Sequence, residues 1–218
     1  MVRKIFSSLL KHFGPQHWWP TSWKNKRDEI IIGAILTQNT AWSNVEKALK
    51  NLAEAGVRSL EKIASCPQKT LARLIKPAGY FNQKAKKLKL VAKFFKNHPD
   101  FARYPLSKKR KLLLRLWGIG EETADSILLY AFNEPSFVVD AYTRRIFYRL
   151  KLIPRENEPY LKIAGLVESS APKHKKERVK FLQEFHALLV ELGKNYCLKA
   201  KTNCQKCPLR FCPSRKNC

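Results

Sequence analysis

Leu116-Trp117-Gly118-Ile119-Gly120 stands between two stretches of helical spacing, Lys108 to Leu116 and Glu121 to Phe132. Two glycines one residue apart permit a tight hairpin whose bare backbone can approach a ligand, and the free N–H groups opening the second helix suit an anion. The same letters also fit a plain turn between two helices. Outward from this stretch the helical period persists. Ala124, Ile127, Leu128 and Ala131 fall at i, i+3, i+4, i+7, as do Leu88, Val91, Ala92 and Phe95, and then Leu182, Phe185, His186 and Leu189. Ile30 to Leu36 is apolar all round, which predicts a helix enclosed by others at the centre of the core. The N-terminal residues as far as His12 read as an amphipathic helix. Val138-Val139 is the one short run that suggests extended chain. Breaks fall at Gly14-Pro15, Pro77-Ala78-Gly79, Pro105, Asn133-Glu134-Pro135 and Pro154. The expected fold is all-α, helices joined by short turns.

Charge points to the partner. The chain has 218 residues with 43 Lys plus Arg against 17 Asp plus Glu, a formal net charge of +26. With 44% hydrophobic residues it can bury a real core, which argues against intrinsic disorder. A basic excess of this size suits a polyanion, because each neutralised phosphate releases counterions. Lysine-rich stretches at Lys84 to Lys89, Lys108 to Lys111 and Lys173 to Lys176 lie beside the breaks, where they read either as solvated faces or as reach toward a phosphate backbone. No run approaches the roughly 20 apolar residues that a membrane helix needs. The expectation is a cytoplasmic, prokaryotic-type, nucleoid-associated protein without a membrane partner. Five of the six cysteines crowd into the last 22 residues, unlike a disulfide framework spread through a secreted domain.

Three groups of residues could carry chemistry. Asp140 follows Pro135-Ser136-Phe137-Val138-Val139 and opens the helical stripe of Ile146, Phe147 and Leu150. As an N-cap it would contribute about 1 kcal/mol; as a fixed carboxylate it could stabilise a cation. His17-Trp18-Trp19-Pro20 and Trp42 supply indole faces, suited to core packing or to stacking on an electron-poor base. Cys197, Cys204, Cys207 and Cys212, with Cys218 at the terminus, can enclose a metal or a cluster, and spacing alone does not separate zinc from iron–sulfur.

In combination, the Gly-x-Gly hairpin, Val138-Val139-Asp140 and the C-terminal cysteines resemble the endonuclease III family of DNA glycosylases, the helix-hairpin-helix superfamily. The resemblance extends over Leu36-Thr37-Gln38-Asn39-Thr40, Ala78 to Lys86, Leu116 to Ala124, Val138 to Arg145 and His186 through Gly193 to Cys197. It implies two helical domains with a central cleft: residues 24–134, a six-helix barrel with the helix-hairpin-helix at about 108–132, and residues 1–23 plus 135–218, ending in an iron–sulfur loop at 197–212. It implies double-stranded DNA with a damaged base as partner, bound by a monomer that flips the base out. Asp140 becomes the catalytic carboxylate. Gln38 becomes the side chain that fills the gap left by the flipped nucleotide, although a helix residue bonded locally fits it equally. Gly118, Gly120, Thr123 and Lys84 become DNA contacts, with a surface turn as the plainer reading of Lys84. His186 reads as a core histidine.

Two departures refine the resemblance. Glu122 stands where the members that also cut the backbone have the lysine that forms a Schiff base, and a carboxylate forms no imine. That implies a monofunctional enzyme with weak or no AP lyase activity. Trp18, Trp19, Pro20 and Trp42 resemble the base pocket of the 3-methyladenine DNA glycosylase branch, where stacking on indoles favours alkylated purines by roughly 0.5–2 kcal/mol per contact. Rival readings are a uracil or thymine mismatch glycosylase, a bifunctional endonuclease III-like enzyme, and a noncatalytic DNA-binding iron–sulfur protein. The family holds a [4Fe–4S] cluster on Cys-x6-Cys-x2-Cys-x5-Cys. Here the last interval is four, with Cys212 as fourth ligand and Cys218 in reserve.

Overall fold

The computed structural model describes residues 1–200 and 202–217. Cys218, the reserve ligand, lies outside the described residues. All regular structure among them is helical: α1 (Val2–Phe13), α2 (Lys26–Leu36), α3 (Trp42–Glu54), α4 (Leu60–Ser65), α5 (Gln68–Leu74), α6 (Phe81–Asn97), α7 (Leu106–Leu114), α8 (Glu121–Ser126), α9 (Ala141–Arg149), α10 (Tyr160–Glu168) and α11 (Lys175–Asn195). No helix among the described residues is long and apolar enough to cross a membrane. Val138-Val139 is extended, without strand pairing.

The chain divides into two compact units, Trp19–Glu134 and a second unit joining Met1–Trp18 to the chain from Pro135 onward. Trp23, which the sequence puts with the second domain, is 5% exposed in the core of the first unit. In that first unit α2 is the central element. Every residue from Asp28 to Leu36 is buried, and α3, α6 and the turn after α8 pack around it. Each fully buried Ile or Leu there contributes roughly 1.5–3 kcal/mol through removal from water. The acidic residues at its start are buried because they hold backbone. Glu29 accepts the amides of Ser22 and Trp23 at 2.8 and 2.7 Å, and Asp28 accepts that of Leu60 at 2.8 Å. α4 and α5 lie on α6, and α7 lies on α8.

The helical pattern from Glu121 to Phe132 does not form one regular α-helix. α8 ends at Ser126, and Ile127–Ala131 forms a π-helical turn that buries Ile127, Leu128, Leu129 and Tyr130. An extra residue in the turn widens the helix while leaving the apolar set on the core side.

In the second unit α11 packs on α1 and α9. The amphipathic N-terminal helix buries Val2, Ile5 and Leu9. α11 supplies Leu182, Phe185, Leu188 and Leu189 to the core, beside Phe137 and Phe147. α9 approaches α11 closely at Gly193, where an added Cβ would collide with the Tyr142 ring.

Candidate active site

The first functional group starts from the helix N-terminus of α9. Asp140 has an extended backbone, and its Oδ1 accepts the Thr143 amide at 2.7 Å, so it does cap the helix. It is 8% exposed. Its other oxygen, Oδ2, lies 3.6 Å from Nε2 of His186 on α11. Burial alone would push the Asp140 carboxyl up, but the neighbouring imidazole and the bonds from Thr143 outweigh it and hold the group below its ordinary value. The acid is therefore ionised at neutral pH. The Trp18 ring leans on His186 with centroids 5.5 Å apart, and the Lys194 ammonium is 6.0 Å from the indole centroid. Trp18, Asp140 and His186 thus form one constellation in the second unit.

A second group lies in the first unit. Trp19 meets Trp42 and Tyr130 edge to face, each with centroids 5.3 Å apart. Its indole presses against Gly33 of α2 so closely that a Cβ there would stand 3.3 Å from the ring. Trp42 donates its indole N–H to Glu46 at 3.0 Å, and Pro20 is exposed.

The hairpin forms the third group. Between α7 and α8, Gly118 has φ +78, a left-handed conformation that favours glycine, and a Cβ on it would collide with the Lys87 side chain. Gly120 is extended with open space about it, so only one of the two glycines is required by the turn. Gln38 is tied to the hairpin. Its Nε2 donates to Gly118 O at 3.0 Å and Thr123 Oγ1 at 2.9 Å, and its Oε1 accepts from Lys87 Nζ. Thr123 itself is buried, its hydroxyl occupied by Gln38. Glu122 is exposed in the first turn of α8.

Lys84 corrects the sequence reading. Expected on phosphate, it is 2% exposed, and its ammonium donates to Leu36 O, Thr40 Oγ1 and Ala78 O at 2.7–2.8 Å. Burial, followed by the charge of Lys87, lowers its pKa to about 8. An ammonium with its three protons committed inside the fold has none to give DNA.

The cysteine loop follows α11. Cys197, Cys204, Cys207 and Cys212 line one cavity together with Arg149 and Arg215. Arg149 donates to Cys197 Sγ at 3.2 Å and to Leu198 O at 2.7 Å. Burial, ahead of neighbouring thiols, raises the Cys207 and Cys212 pKa values. Cys204 is disulfide-bonded while the other three are free. Among the described residues the sulfurs do not stand in a coordinating arrangement.

Comparison with known proteins bears on all of these groups. The model of the HhH-GPD superfamily base excision DNA repair protein matches residues 32–172, well over half of the chain. The chain belongs to that superfamily. This DNA glycosylase is 43% identical, over 99% of its length and 97% of the relative's, to a protein of Methanocaldococcus jannaschii provisionally named a DNA repair glycosylase. It is 27% identical to endonuclease III of Thermotoga maritima, covering 96% of this chain and 91% of that one. Among solved structures it is similar to the H. pylori 3-methyladenine DNA glycosylase bound to 1,N6-ethenoadenine. That match has a TM-score of 0.72 and 31% identity, over 88% of this chain and 95% of the other. The glycosylase acts in base excision repair. Sequence reasoning passes over Tyr130, which carries no pattern that marks it. Lys87 stands only within the lysine-rich stretch Lys84 to Lys89, and His186 reads as a core histidine, to which the structure adds the contact with Asp140.

Proposed function

We propose that the protein is a monofunctional DNA N-glycosylase that removes alkylated purines such as 3-methyladenine. The observation that carries this reading is the buried Asp140 at the start of α9, its Oδ2 facing His186, in one constellation with the Trp18 indole. The 31% identity to a 3-methyladenine DNA glycosylase solved with a purine adduct supports the substrate class.

The chemistry follows from the charges. An N-alkylated purine bears positive charge, so its stacking against an indole face is strengthened over that of a normal base. As the glycosidic bond breaks, its electron pair goes to the base, which leaves neutral, and positive charge develops at the sugar C1′. A fixed carboxylate stabilises that charge, by an amount that in comparable sites is worth a few kcal/mol. Water then adds to C1′, and Asp140 orients it or takes its proton. The leaving group needs no general acid. Glu122, at the position of the lyase lysine, offers no amine for an imine. The hairpin backbone around Gly118 and Gly120 approaches a phosphate, and Gln38, once released from Gly118 and Thr123, fills the space of the flipped nucleotide. Trp19, Pro20 and Trp42 offer further indole and ring surface for stacking within the first unit.

The donor set of the cysteine loop suits a [4Fe–4S] cluster held by Cys197, Cys204, Cys207 and Cys212 with Cys204 reduced. Such a group would offset part of the charge of four thiolates and order the loop. Its role is structural.

The test is a release assay on matched duplexes containing an N-alkylated purine, uracil, or a G·T mismatch, with borohydride added to a second set. Free alkylated base and no trapped protein–DNA adduct are expected. Release confined to uracil or thymine, or efficient trapping, would overturn the substrate or the monofunctional reading respectively.

A further inference from the structure

One buried titratable side chain in the constellation has no part in the mechanism above. His186 lies on α11 with 4% exposure, on the face that carries Leu182, Phe185 and Leu189 into the core. A histidine on such a stripe is usually satisfied by a local carbonyl. Here its Nε2 faces the second oxygen of Asp140 at 3.6 Å, the first oxygen being held by the Thr143 amide. The distance is that of an electrostatic contact, one that can shorten when substrate arrives. The imidazole also makes aromatic contacts. Trp18 lies against it with an interplanar angle of 49°, and Phe137 stands edge-on with centroids 6.5 Å apart.

The arrangement has a mechanical consequence. The terminal torsion of an aspartate is soft, so a carboxylate held only by its capping bond can swing its free oxygen. A second partner on that oxygen removes the freedom. Because the ring that restrains the acid also carries the Trp18 indole, one side chain sets the spacing between the carboxylate and the stacking surface. We propose that His186 is a positioning residue that fixes the Asp140 carboxylate and seats Trp18 beside it, so that the acid meets the sugar C1′ of the nucleotide whose base the indole holds. This rests on the reading of Asp140 as the carboxylate of the reaction.

The variants H186L, which keeps volume and removes the polar contact, and H186Q, which restores a donor, test it beside D140N. Single-turnover release of alkylated base is measured together with the Kd for a duplex carrying an abasic-site analogue. H186L is expected to lose about 100-fold in rate, the scale of a small misplacement of a reacting group, with Kd within about threefold of the parent. H186Q should recover most of the rate. A parental rate in H186L overturns the inference, and so does an equal loss in H186L and H186Q with weakened DNA binding, which marks a purely structural histidine. If H186L does not fold, H186Q decides alone: recovery of at least a third of the rate upholds the inference, and a loss like that of D140N sinks it. D140N separates the two levels, because an active D140N removes the underlying reading whatever His186 does.

Discussion

Lys84 shows how this basic chain uses charge inside its own fold. Its ammonium gathers the end of α2, at Leu36 O, the Thr40 hydroxyl and the Ala78 carbonyl before α6. Lys89 holds Ala64 O and Cys66 O in the same manner, and Lys109 pairs with Glu134 while buried. K84M should lower stability by about 1–3 kcal/mol, since it strips a donor from buried acceptors. The pH dependence has a definite sign. The folded pKa of about 8 lies below the ordinary lysine value of 10.5, so between those values the folded chain binds fewer protons at this site than the unfolded chain. Stability from this group therefore rises with pH across that window. The Tm difference between the parent and K84M should widen from pH 8 toward pH 10; a constant difference would show that Lys84 does not titrate there. Sequence reasoning reads such a lysine as surface because lysine is rarely buried, and nothing in Phe81-Asn82-Gln83-Lys84 announces three carbonyl and hydroxyl acceptors converging from distant positions. Asp140 was legible both as cap and as acid. Its partner was not, because the pairing of α9 with α11 is a tertiary fact.

At the scale of elements, periodicity carried most of the information. α2 was legible because a run apolar on every side can sit only where every side is covered, and α11 because its stripe holds the 3.6 period. The π turn after Ser126 was not legible, since Ile127, Leu128 and Ala131 satisfy the α period equally well. Gly118 was legible as a hairpin glycine, whereas Gly120 adopts a backbone open to any residue. The cysteine loop was legible as a donor set and no further, because the same four thiolates suit zinc or iron. Its cavity, lined by all four and bordered by Arg149 and Arg215, gives a direct expectation. Protein purified without oxygen should be brown with about four iron atoms per chain, and C212S should lose them. A colourless, zinc-loaded and active preparation would contradict the cluster.

At the scale of the whole molecule, the charge of +26 and the division into two units had different legibility. Net charge is read directly from the letters and points to a polyanion whatever the fold. The boundary after Glu134 falls at the Asn133-Glu134-Pro135 break that the letters mark, whereas the one near residue 19 depends on which helices bury one another; Trp23 belongs to the core of the first unit through burial, a property no local pattern encodes. The account as a whole depends on Asp140 acting on the sugar and not solely as a helix cap. Asparagine caps helices as well as aspartate does, so D140N removes the charge while leaving α9 intact. The measurement is base release from N-alkylated duplex by D140N, with DNA affinity determined on the same preparation. Release should fall to background while affinity stays near the parental value; a D140N protein that still frees the base at the parental rate would contradict the mechanism.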